Sequence, residues 1–94
     1  MEERKRRSNT EIIYAILKGC VEGSGKTKLM YMARLNYPVF MKYISKLERL
    51  NLVYFDGKKY VITEKGEKVL GLLDKYMETY IRLSEIRKEL EELL

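Results

Sequence analysis

Residues 52–63 read Leu-Val-Tyr-Phe-Asp-Gly-Lys-Lys-Tyr-Val-Ile-Thr, and the fold turns on this stretch. Two runs rich in β-branched and aromatic residues, Leu52-Val53-Tyr54-Phe55 and Tyr60-Val61-Ile62-Thr63, flank Asp56-Gly57-Lys58-Lys59. Asp-Gly between two such runs predicts a hairpin, because a tight turn needs residues that tolerate positive φ. On either side of the hairpin the apolar spacing is helical instead.

Upstream, Ser8-Asn9-Thr10-Glu11 has the form of a capping box, and Ile12, Ile13, Ile16, Leu17 and Cys20 follow at helical spacing. A first helix is expected over about 9–21, ended by Gly23-Ser24-Gly25. A short second helix over about 27–35 has Thr27 as its expected N-cap and Leu29, Met30 and Ala33 inward. Asn36-Tyr37 forms a tight connection, and Pro38 sits in the first turn of a third helix over about 38–50. Its inward residues are Phe40, Tyr43, Ile44, Leu47 and Leu50. Two helices joined by so short a turn form a helix-turn-helix, and three helices followed by a hairpin give the winged-helix order. The expected class is mainly α with a small β-hairpin.

Downstream, Thr63 can cap a helix that runs to the end, 31 residues over 64–94. At ~1.5 Å per residue it is about 46 Å long, more than a domain of this size can cover. Gly66 and Gly71 each weaken it by roughly 1 kcal/mol against Ala, so its start needs tertiary support. Val69, Leu73, Tyr76, Tyr80, Leu83, Arg87, Leu90 and Leu94 alternate spacings of four and three, which is a coiled-coil seam. Arg87 is the misfit, with Ile86 beside it, while Met77, Ile81 and Leu93 widen the stripe.

A helix folded back on its own domain would leave Tyr80, Leu83, Leu90 and Leu94 in water. A homodimer is therefore expected, joined through Leu73, Tyr76, Tyr80, Leu83, Ile86, Arg87, Leu90 and Leu94. Glu85, Glu89, Glu91 and Glu92 lie at one end of the helix, and Lys65, Lys68 and Lys75 near the other. An antiparallel pair sets these groups against each other, whereas a parallel pair stacks acid on acid.

The net charge of +5 is unevenly placed. Residues 1–60 carry 13 Lys and Arg against 6 Asp and Glu, while residues 61–94 carry 6 against 8. The first two thirds are the expected binding body, with a polyanion as partner. On helix 3, Lys42, Ser45, Lys46 and Arg49 fall on the face opposite Phe40, Ile44 and Leu47, where they could meet double-stranded DNA in its major groove. Asn36 and Tyr37 precede that stripe. Lys58 and Lys59 lie at the hairpin tip, Lys26 and Lys28 near the start of helix 2, and Arg4-Lys5-Arg6-Arg7 in a flexible arm. A solvated charged face is the competing explanation for any one of these groups; their convergence on one fold favours DNA.

Several functions are excluded. Gly23-Ser24-Gly25-Lys26-Thr27 resembles a phosphate loop, but that motif needs Gly where Cys20 stands and a strand before it. With no His and a single Cys, the common zinc sets and His-dependent nucleophiles cannot form, so neither a metal, a cofactor nor an enzyme activity is expected. The lone Cys20 falls in a helical apolar pattern and is expected to be a buried structural thiol. No apolar run approaches a membrane span, and a cytoplasmic protein is expected.

Taken together, the stretches RRSNTEIIYAILKGC, GSGKTKLMYMARLNY, YISKLERLNLV and GKKYVITEKGEKVL, with the long closing helix, resemble the archaeal 10a family of small winged-helix, chromatin-type DNA-binding proteins. The resemblance covers about residues 5–94. It implies an antiparallel coiled-coil dimer with a winged helix at each end, associated with the nucleoid as an architectural protein or a transcription regulator. The family's helix-3 and wing positions fall on Lys42, Ser45, Lys46, Arg49, Lys58 and Lys59. The expected organisation is an arm at 1–8, a winged-helix DNA-binding domain at 9–63 and a dimerisation helix at 64–94. A winged helix used only for protein–protein contact is the alternative.

Overall fold

The computed structural model describes residues 8–94. Helix α1 (Asn9–Cys20) starts as its sequence dictates. The Ser8 hydroxyl accepts from the Glu11 N–H at 3.2 Å, and the Glu11 carboxylate accepts from the Ser8 N–H at 3.0 Å. Ile12, Ile16, Leu17 and Cys20 are buried along one face. The Cys20 thiol is structural, as expected: burial pushes it up from an ordinary 9.0 to about 11.

Folding therefore favours the protonated thiol. That contribution is intact below about pH 9 and is lost as the pH rises through 11. Urea unfolding at about pH 8 and about pH 10.5 should show the advantage of the wild type over Cys20→Ala shrinking at the higher pH. Tyr14 and Tyr60, raised in the same sense, are common to both proteins and cancel. An advantage that does not change with pH would contradict the buried thiol.

Helix α2 (Lys26–Ala33) begins differently from expectation. Thr27 is not its cap; Gly25 holds that position in extended conformation, with no side-chain hydrogen bond. The cause is tertiary. Ser24 pairs with Tyr60 through Ser24 N–H to Tyr60 O at 3.1 Å and Tyr60 N–H to Ser24 O at 2.8 Å, which keeps the chain extended until Lys26. The Ser24 hydroxyl also donates to the Gly19 carbonyl at 2.7 Å inside the body. The phosphate-loop look-alike is thus the rudimentary third strand of the wing sheet.

Helix α3 (Tyr37–Arg49) starts one residue before Pro38, because the Asn36 side chain accepts from the Val39 N–H at 3.0 Å and caps it. Phe40, Ile44 and Leu47 are buried, and Tyr43 is half-buried. Leu50, expected inward, is exposed. The chain leaves the helix there, with Asn51 at φ +62 and Leu52 N–H donating to Leu47 O at 2.9 Å.

Strands β1 (Val53–Phe55) and β2 (Tyr60–Ile62) pair antiparallel in the register Val53↔Ile62, Tyr54↔Val61 and Phe55↔Tyr60. The tip is an Asx turn: Asp56 Oδ1 accepts from the N–H groups of Lys58 at 2.9 Å and Lys59 at 2.8 Å. Gly57 takes φ +108, which a residue with a Cβ rarely adopts.

Helix α4 (Glu64–Leu93) begins at Thr63, whose hydroxyl accepts from Gly66 N–H at 2.9 Å and donates to Asn51 O at 2.7 Å. Lys65 Nζ donates to Leu50 O at 3.0 Å, so the helix start is bonded to the α3–β1 turn. The Tyr14 hydroxyl donates to Asp74 at 2.7 Å and ties α1 to the second turn-pair of α4. Val69, Leu70 and Leu73 pack on the core, and the helix then leaves the body, giving the chain a long dimension of 56 Å. Phe40 sits at the centre of that core, edge-on to Tyr60 with ring centroids 6.3 Å apart.

Candidate nucleic-acid interface

Because α3 turns Phe40, Ile44 and Leu47 to the core, its opposite face carries Lys42, Lys46 and Arg49, all exposed, with Ser45 half-buried between them. Lys42 and Lys46 also line an open groove with Asn9, Val39 and Tyr43. The Tyr43 hydroxyl donates to Asn9 Oδ1 across this groove, so the α3 stripe adjoins the first residue of α1. Arg4, Lys5, Arg6 and Arg7 lie outside the described residues.

The N-terminal ends of α2 and α3 come together. Lys26 Nζ lies 5.3 Å from the Tyr37 ring centroid, a cation–π geometry that fixes a cation beside the start of α3. Lys28 is exposed on the next turn of α2. Asn36 is exposed, but its side-chain oxygen is committed to the α3 cap. Helix α2 has no side-chain cap, and Lys26, Thr27 and Lys28 at its start are exposed; the amides of an uncapped helix start attract anions.

The wing closes the third side. Lys58 and Lys59 are exposed at its tip. The Lys58 carbonyl lies 3.9 Å from where a Cβ on Gly25 would stand, so the tip rests against the start of α2. The Lys59 stem passes over Gly23, 3.3 Å from the corresponding Cβ position. The backbone N–H of Lys59, then that of Lys58, holds the Asp56 carboxyl below its usual range, so the turn keeps its charge-assisted bonds at neutral pH.

Three aromatic residues on the surface escaped the sequence analysis. Tyr54 and Phe55 were read only as strand formers, yet both are exposed, Phe55 by 47%. Tyr31 stands out from α2 on the face opposite Leu29 and Ala33. Strand alternation could have flagged Tyr54, since its neighbour Val53 is inward; nothing local flags Phe55.

Of the residues assigned to the dimer seam, Leu73 is partly covered by its own core. Tyr76, Tyr80, Leu83, Ile86, Arg87, Leu90 and Leu94 are exposed in the single chain, with Leu72 and Leu93 beside them. Among the described residues no helix is long and apolar enough to cross a membrane, and no group of acidic or Cys side chains could hold a metal ion.

Comparison with known proteins agrees with this architecture. The profile of the winged helix-turn-helix family matches residues 6–80. The uncharacterized protein MJ0287 of Methanocaldococcus jannaschii is 37% identical over 71 residues, covering 74% of this chain and 73% of that protein. The crystal structure of Sso10a-2, a DNA-binding protein from Sulfolobus solfataricus, superposes with a TM-score of 0.84 at 30% identity, covering 94% of this chain and 97% of that one.

Proposed function

The chain belongs to the winged helix-turn-helix family, in its archaeal 10a type, and we propose that it is a dimeric, non-enzymatic protein that binds double-stranded DNA. One observation carries the reading: the cations of the α3 stripe, the start of α2 and the wing tip are all exposed, and the start of α2 meets both Tyr37 of α3 and the Lys58 carbonyl of the wing. Helix α3 enters the major groove, where Lys42, Lys46 and Arg49 meet phosphates and guanine acceptors. Lys26, Lys28 and the open amides of α2 hold one phosphate strand, and Lys58 and Lys59 follow another. Asn36, Tyr37 and Ser45 sit among these groups, and Arg4, Lys5, Arg6 and Arg7 supply further cations for phosphates. The protein acts at the nucleoid in the cytoplasm, as an architectural component or as a regulator. The organisation is an arm at 1–8, a DNA-binding domain at 9–63 and a dimerisation helix at 64–94.

Duplex binding by fluorescence anisotropy, with two unrelated sequences over a salt series, tests this. Affinity should fall steeply with salt. The triple variant Lys42→Ala, Lys46→Ala, Arg49→Ala should flatten the log–log slope by about 3 and lower low-salt affinity on the order of a hundredfold. Equal affinity for both duplexes supports the architectural role, and a clear preference supports the regulator. No binding at low salt would make the winged helix a protein-interaction module.

The dimer reading is supported by the symmetry of the seam. Spacings of four and three read the same from either end, so an antiparallel pair with its twofold axis between Tyr80 and Leu83 leaves no seam residue without a partner. Tyr80 faces the partner's Leu83, Tyr76 the partner's Arg87, Leu73 the partner's Leu90 and Val69 the partner's Leu94. Leu72 and the partner's Leu93 flank the same seam. In a parallel pair Arg87 would face its own copy, like charge on like. The antiparallel arrangement offers that guanidinium a tyrosine ring instead, and it sets the two DNA-binding bodies at opposite ends.

A further inference from the structure

Phe55 is an anomaly on a cationic surface. It is 47% exposed, although a phenyl ring gains nothing from contact with a phosphate, and the Tyr37 ring is 51% exposed as well. Both are held in place. The Phe55 ring rests on Tyr60, with centroids 4.9 Å apart and planes inclined by 48°, and Tyr60 is itself buried edge-on against Phe40. Tyr37 is fixed by the first turn of α3 and by Lys26 over its ring.

Tyr60 joins the two. Its ring packs on Phe55 on one side and edge-on against Phe40 on the other, and Phe40 stands one helical turn after Tyr37 in α3. The two exposed rings therefore flank Tyr60 at the crease where α3 meets the wing, and Lys26 and the tip lysine Lys58 come together there beside Gly25.

The occupant must bring phosphates for the lysines and an apolar face for the rings. In intact B-form DNA the base faces are hidden in the stack, and only their edges reach the grooves. An unpaired or unstacked base exposes a face, and stacking on an aromatic side chain is how proteins hold it. We propose that the crease between α3 and the wing is a stacking site for an unstacked base, so that the protein prefers distorted duplex DNA to intact duplex. This rests on the DNA-binding reading above and adds a site to it. Phe55 supplies the platform, Tyr37 the second wall, and Lys26 and Lys58 the charges for nearby phosphates of the distorted duplex.

The test compares an intact duplex with the same duplex carrying one unpaired 2-aminopurine, whose fluorescence reports stacking. The full-length protein should bind the bulged duplex at least about fivefold more tightly, the factor of a single weak base–aromatic stack, with a change in 2-aminopurine emission. Phe55→Leu keeps an apolar group on Tyr60 and should remove both the preference and the emission change, leaving intact-duplex affinity within about twofold. Tyr37→Leu should reduce the preference, and circular dichroism melting of both variants checks that they fold. Equal affinity of the wild type for the two duplexes, or a preference that persists in folded Phe55→Leu, overturns the stacking site while leaving DNA binding intact. Failure to bind either duplex at low salt overturns the DNA-binding reading and the stacking site with it.

Discussion

Leu83→Glu is expected to turn the proposed dimer into a monomer while the winged-helix body stays folded. Leu83 is 59% exposed in the single chain and touches nothing in the core, so the body does not depend on it. In the proposed antiparallel seam it stands beside the twofold axis against the partner's Tyr80, and a dimer of the variant carries two such changes. Losing two buried leucines costs about 1.5–3 kcal/mol each, and the desolvation of two carboxylates adds to that. The dissociation constant should rise by three decades or more, since each 1.4 kcal/mol is tenfold.

Sedimentation equilibrium measures this directly, and circular dichroism should show a folded body with a frayed C-terminal helix. DNA affinity should fall as well, because two linked bodies gain from each other's binding. An intact dimer in this variant would rule out the seam. Arg87→Cys fixes the orientation. Under mild oxidation a parallel pair would crosslink through this position, whereas in the antiparallel pair it faces the partner's Tyr76 and should not.

What could be read from the chain and what could not divide along a physical line. The starts of α1 and α4 were legible because capping is local: Ser8 needs only Glu11, and Thr63 needs only Gly66. The Asp56-Gly57 turn was legible for the same reason. The start of α2 was misread because Thr27 has the right chemistry for a cap, but the pairing of Ser24 with Tyr60 sets the helix boundary from 36 positions away. One bridged residue leaves no β-pattern to find. Leu50 fits the helical period of α3 and still faces water, since a period says nothing about where the chain turns out of the helix.

The candidate surface shows the same division. The stripe of Lys42, Lys46 and Arg49 follows from periodicity alone, and the exposed seam of α4 follows from its spacing. The approach of Lys26 to Tyr37 and the exposure of Phe55 come from three elements meeting, which no single stretch encodes.

Gly66 and Gly71 were read alike, as two weak points in one helix, and the structure separates them. The same substitution at each should have opposite signs. A Cβ on Gly66 would stand 2.2 Å from the Leu52 carbonyl oxygen and 2.7 Å from Ile62 Cγ1. The oxygen cannot give way, because it accepts the Thr63 N–H at 2.9 Å and so belongs to the joint that seats α4 on the body. Gly66→Ala gains about 1 kcal/mol of helix propensity but must shift backbone, and a net loss of about 3 kcal/mol is expected. For a chain of this size that lowers Tm by roughly 12–24 °C. A Cβ on Gly71 meets nothing within 4 Å, and the position lies on the side of α4 away from the seam. Gly71→Ala should therefore stabilise by about 0.5–1 kcal/mol and raise Tm by a few degrees. Thermal melts at one protein concentration measure both. A Gly66→Ala protein that melts with the wild type would mean that α4 is not seated against the Leu52 carbonyl, and the direction in which the helix leaves the body, on which the placing of the two DNA-binding ends depends, would be wrong.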